Sequence, residues 1–148
     1  MATSPMNVFS NQKLEPYYET PTPAEDVVTL PASISYLRGT LLGEVTATPG
    51  TFKAYTSGAS DGSQRPQRIL AFDCTTDASG NVTLTSTAGQ VGGYLGQTQR
   101  GAPAYMKGAF RCEDLVQSGA GAIDANAITT GYLLLKNGTV AAGVVELL

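Results

Sequence analysis

The chain has 148 residues, of which 42% are hydrophobic and only 14% charged, with a net charge of −3. That length fits one domain with an extension, and that composition can bury a core beneath a lightly charged surface. The basic residues are scattered, which excludes the electrostatic stripe of a nucleic-acid binder, and the lack of histidine removes the commonest general base and metal ligand.

In chain order, the first segment is rich in proline: Pro5, Pro16, Pro21, Pro23 and Pro31 fall before residue 34. Proline breaks helices and removes donors from sheet ladders, so residues 1–33 read as an extended arm preceding a β-rich domain over 34–148. The arm is not purely polar. Val8, Phe9, Leu14, Tyr17, Tyr18, Val27, Val28 and Leu30 are spaced along it. A solvated linker has no use for such residues; they suit a segment that becomes ordered on a partner, the favoured reading, or an arm that folds back on its own domain. The segment lacks the basic start and apolar run of a signal peptide, and no apolar run approaches membrane-spanning length. The expectation is a soluble protein in a reducing compartment.

"TLLGEVTA" begins a strand, and Pro49-Gly50 marks a turn. "TFKAYTS" alternates, with Phe52 and Ala54 on one side and Lys53 and Tyr55 on the other. "SGASDGSQRPQ" is a loop, and "RILAFDC" predicts a strand with Leu70, Phe72 and Cys74 on one face. "TTDASGN" is a turn cluster before the alternating strand "VTLTST". "AGQVGGYLGQTQRGAP" reads as a glycine-rich loop, and "AYMKGAFRCEDL" as the next strand. "IDANAIT" predicts a short helix with Asp124 near its first turn, where the macrodipole favours negative charge. Asn137-Gly138, set between apolar runs, predicts a hairpin closed by a two-residue turn. The sum is about six to eight short strands and at most one helix, a mainly β, barrel- or sandwich-like domain.

"YMKGAFRCEDL" crowds a thiol, two bases and two carboxylates together, as a catalytic site would. Strand alternation argues otherwise. Met106, Gly108, Phe110 and Cys112 fall on one face, and Lys107, Ala109, Arg111 and Glu113 on the other. Cys112 beside Phe110 is then a buried, inert thiol. The same reading serves Cys74, since two distant cysteines make neither a CxxC pair nor a zinc site. Glu113 and Asp114 point opposite ways, which is wrong for a glycosidase dyad. Phe110, Arg111 and Glu113 are therefore expected to hold the strand or a subunit contact. No Walker, GxSxG or HExxH motif is present, and no catalytic residue, metal or cofactor is expected.

These residues resemble the head decoration proteins of tailed bacteriophages, the family of phage lambda protein D. Gly108, Phe110, Arg111, Glu113, Asp114 and Leu115 match one family strand. Leu70, Ala71, Asp73, Thr75, Thr76 and Asp77 of "RILAFDCTTDASG" match a family strand and turn. The resemblance runs from about Thr40 to Leu115. The chain departs at "SGAGAIDANAITTG", where the family has a more definite helix. The resemblance implies a structural virion protein, not an enzyme. It implies a homotrimer on the outer surface of the expanded capsid, at local threefold positions, after synthesis in the bacterial cytoplasm. Its arms would contact the major capsid protein and hold the shell against DNA pressure, with no nucleic-acid or membrane partner. Two other classes fit a small β-module: a tail or fibre adaptor, and a carbohydrate-binding module using Tyr55, Tyr94 or Tyr105 as stacking platforms.

Overall fold

The computed structural model describes residues 24–85, 98–118, 121–124, 127, 133–136 and 144–147. The chain forms β1 (Ala24–Val28), β2 (Ser35–Tyr36), β3 (Leu41–Glu44), β4 (Phe52–Ala54), β5 (Pro66–Leu70), β6 (Cys74–Thr76), β7 (Val82–Leu84) and β8 (Thr98–Gln99). It continues with β9 (Ala102–Arg111), a 3-10 turn (Cys112–Asp114), β10 (Val116–Gln117), β11 (Gly121–Ala122), β12 (Leu133–Lys136) and β13 (Val144–Leu147). These thirteen described strands exceed the expected number because β1, β2, β8, β10 and β11 form where no strand was expected, and one expected strand divides. "RILAFDC" is that divided strand. Its first half is β5 and its last residue opens β6, which lies in a different sheet.

The larger sheet runs β12-β13-β9-β5-β3-β4, with β1 also paired to β9. The second runs β2-β6-β7-β8, and β10 and β11 form a small ladder of their own. Every named ladder is antiparallel. The fold is mainly β, and its sheets do not close into a barrel. Two isolated parallel bridges add to these among the described residues: Thr29 to Thr51 ties the end of β1 towards β4, and Thr40 to Val116 ties the start of β3 to β10.

Two apolar clusters lie on opposite faces of the larger sheet, and neighbouring residues divide between them. Leu41 and Ile69 join Tyr55, Phe110, Cys112, Leu115, Ile123 and Ala127. Leu42 and Leu70 join Val28, Leu30, Phe52, Ala102 and Ala104, beneath Cys74, Val82 and Leu84 of the second sheet. Period-two alternation produces this directly, and it explains why β3 and β5 read as continuous apolar runs. Phe52 and Tyr55 also go to opposite clusters, as their alternation predicts. Fully burying each of these larger side chains stabilises the fold by about 1.5–3 kcal/mol.

Polar groups fasten the loops. The Asp61 carboxylate accepts from Lys53 Nζ at 2.7 Å and from the Ser63 hydroxyl at 2.6 Å. The Lys53 ammonium and then the Ser63 hydroxyl hold Asp61 well below the usual carboxylate range. Leu70, Phe72 and Cys74 do share one cluster, but the strand breaks between them. There Ala71 N donates to Pro103 O, and the buried Asp73 carboxylate accepts from Arg38 N at 2.6 Å, drawing the chain across to the second sheet.

At the C-terminal end β12 and β13 pair antiparallel, with Lys136 opposite Val144 and Leu133 opposite Leu147. The expected turn at Asn137-Gly138 lies outside the described residues. Of the expected helix, the described residues include Asp124, whose Oδ1 accepts from Ala127 N at 3.0 Å, an N-cap contact. The buried Tyr55 hydroxyl donates to the same Oδ1 at 3.1 Å.

Leu41→Ala and Leu42→Ala should each lower unfolding free energy by about 2–5 kcal/mol in urea titrations, because both residues are wholly buried. Leu37→Ala, at a half-exposed position, should change it by no more than about 0.5 kcal/mol. The Asp61 clamp gives a pH signature. A depressed carboxylate contributes stability above its unfolded value near 4 and loses it as pH falls through the folded value. Asp61→Asn should therefore lower Tm slightly at pH 7, by an effect within the 0–1 kcal/mol of a solvent-screened pair. The gap from the unaltered protein should close between about pH 5 and pH 2; a gap that widened on acidification would contradict the clamp.

Candidate functional site

The described chain begins at β1, directly after residues 1–23, and β1 is attached through β9. β1 lies antiparallel to β9, pairing Val28 with Ala102, Val27 with Pro103, Asp26 with Ala104 and Glu25 with Tyr105. Ala24 then pairs with Lys107, so Met106 is an extra residue in a bulge. A bulge bends its strand and increases local twist. Pro21 and Pro23, just upstream, have no N–H to donate, so the sequence there is unsuited to continuing the ladder. Beyond this point the next stretch of β9 belongs to β13, with Leu147 opposite Gly108.

The root of the arm is fixed from several sides. Val28 and Leu30 are 1% and 2% exposed. Thr29 N donates to Gly50 O, and Thr29 O accepts from Phe52 N. The Thr76 hydroxyl donates to Pro31 O at 2.6 Å and accepts from Ile34 N at 3.0 Å. Asp26 Oδ2 stands 3.4 Å from Arg68 Nη2, and that guanidinium lies 5.3 Å from the centre of the Phe52 ring.

The eight apolar residues assigned to the arm thus divide. Val8, Phe9, Leu14, Tyr17 and Tyr18 lie outside the described residues. Val28 and Leu30 belong to this chain's own core and are not offered to a partner in this conformation. Val27 points the other way and is 70% exposed. The boundary drawn at residue 33 is too late, because the strand 24–28 and the stitched segment after it are part of the domain. The signal was present in "AEDVVTL", where Val28 and Leu30 stand two apart as on a strand buried on one face. The proline spacing outweighed it.

The strand "YMKGAFRCEDL" holds Phe110 and Cys112 in one cluster, as alternation predicts. The alternation is not kept along all of β9. Ala102 and Ala104 serve the opposite cluster, Met106 is exposed and Ala109 is buried. The change of phase falls at the Met106 bulge and Gly108, whose φ of 146° suits glycine and few side chains. Glu113 and Asp114 sit on the 3-10 turn, not on a strand. Arg111 and Glu113 face each other at 3.7 Å with most of both side chains in water, a contact worth no more than about 1 kcal/mol. Burial pushes the Cys74 thiol up to about 12, so it stays protonated and unreactive. Tyr55 is 1% exposed and cannot be a stacking platform. Tyr105 is partly buried with its ring tilted against Phe110 at 5.1 Å, and Tyr94 lies outside the described residues.

The profile described as Bacteriophage lambda head decoration protein D matches residues 17–93, just over half of the chain. The match takes in the last part of the arm, β1 and the "RILAFDCTTDASG" segment, and it ends before β9. No curated protein and no solved structure matches the chain. With a mainly β fold and a family match of this extent, the chain belongs to the lambda head decoration protein D family, a family of structural phage capsid proteins and not of enzymes.

Proposed function

We propose that this protein forms a trimer on the outside of the expanded phage head, at local threefold positions, and stabilises the shell by gripping the major capsid protein with its N-terminal arm. It is made in the bacterial cytoplasm and ends on the virion surface. The observation that carries this reading is the anchorage of β1. An arm can transmit an attachment to its domain only if its root is fixed, and here the root is a strand of the central sheet with two core residues. Membership of a head decoration family supplies the class of partner.

Residues 1–23 would then be the gripping segment, with Val8, Phe9, Leu14, Tyr17 and Tyr18 as anchors. An extended segment of that length reaches about 75 Å at about 3.3 Å per residue. Docked along a strand edge of the coat protein, it would gain register from main-chain hydrogen bonds and affinity from side-chain pockets. Each well-buried anchor stabilises by about 1.5–3 kcal/mol, against about 1–2 kcal/mol for ordering each backbone residue. A single arm therefore binds weakly. Three arms on one trimer raise the effective concentration of the second and third, and avidity supplies the firmness.

The position of β1 dictates the experiment. Removing residues 1–30 would take away β1, Val28 and Leu30 and damage the fold, whereas removing residues 1–23 leaves the described domain whole. The 1–23 deletion should keep its Tm within a few degrees, remain a trimer by light scattering, and leave expanded heads undecorated in electron micrographs. A truncated protein that still occupied the local threefold positions would overturn the role given to the arm.

A further inference from the structure

We propose that the face of the β1–β9 ladder around Val27 is a second docking contact, pressed against the same coat-protein surface that receives the arm. The inference rests on the arm reading above and adds a contact on the folded domain.

The large apolar side chains exposed among the described residues are Val27, Leu37 and Met106, and Val27 is the most exposed at 70%. Val27 and Met106 both lie in the β1–β9 ladder. The register puts Val27 opposite Pro103. Alternation places Tyr105 on that same face, so Val27, Pro103 and Tyr105 make one apolar stretch, with Glu25 as the register partner of Tyr105 at its edge. Pro103 and Tyr105 are half-buried. The Val27 side chain is seated and not simply loose. A Cβ on Gly101 would stand 2.5 Å from Val27 Cγ1, so the valine methyl lies over a residue that must be small. The Val27 N–H is taken by Asp26 Oδ1 at 2.8 Å. Exposed Arg100 and Lys107 flank this part of β9.

The occupant follows from where the described chain starts. Residues 1–23 join at Ala24, three positions before Val27. Whatever holds the arm is therefore delivered to this face at high effective concentration. An apolar centre with Arg100 and Lys107 towards its ends and Glu25 beside Tyr105 fits a coat surface that is apolar at the contact and carries carboxylates opposite the two bases.

The test uses the full chain and expanded, undecorated heads of the phage it decorates. Val27→Asp and the milder Val27→Ser should keep the Tm of the unaltered protein, because the side chain is largely in water. They should weaken head binding by at least about tenfold and about threefold respectively, since a charge is costlier than a hydroxyl in a desolvated contact. Arg100→Glu with Lys107→Glu should weaken binding more at low salt than at high salt. Undiminished binding of both Val27 variants, with binding still lost on deleting residues 1–23, overturns this contact and leaves the arm reading standing. Binding that survives the deletion itself overturns both. If the Val27 variants dissociate the oligomer in light scattering and the dissociated protein alone loses binding, the face is a contact between copies and the proposal fails.

Discussion

The antiparallel pairing along β9 is the interaction on which the rest depends. This chain is poor in charge and rich in small residues, so its core must be enclosed by strands. Most of those strands are two to five residues long and cannot define a sheet alone. β9, at ten residues, pairs with β1, β5 and β13 at different points along its length. Ala104 and Tyr105 are bonded to β1 on one edge and to β5 on the other. Small residues let the strand carry this traffic. Ala102 and Ala104 are fully enclosed and leave room for Leu42, Leu70 and Phe52 around them.

The second sheet joins the first through apolar packing and a few polar contacts. β6 and β7 bring Cys74, Val82 and Leu84 over the larger sheet, and the Thr76 hydroxyl bonds the chain between β1 and β2 at two points. Arm root, central sheet and covering sheet therefore form one packed unit. Its thiols are buried, and the charged pair on the "FRCEDL" segment is a surface contact.

What could be read from the chain follows from the range of the interactions involved. Local alternation was legible: β3, β4 and β7, the divided faces of Phe52 and Tyr55, and the apolar side of Phe110 and Cys112 all appear in the structure. Interruptions set by distant partners were not. The break in "RILAFDC" depends on Pro103 and Arg38, and the phase change in β9 depends on where β1 and β13 pair. Proline spacing hid a strand that begins immediately after Pro23. Of the candidate site, exposed Val27 carries no sequence mark that separates it from buried Val28; only the fold tells the two valines apart.

The antiparallel register of β1 has a mechanical consequence. A pull on the arm away from the domain, directed along β1, is parallel to the strand and perpendicular to its hydrogen bonds with β9. Such a load is shared by the whole ladder, so the bonds must yield together. A peeling force at right angles would break them one at a time. The Thr29 bridge and the buried Val28 and Leu30 lie at the far end from the pull, where they act as a stop against sliding. The joint is thus strongest in the direction of tension and weakest against lifting, as in a lap joint.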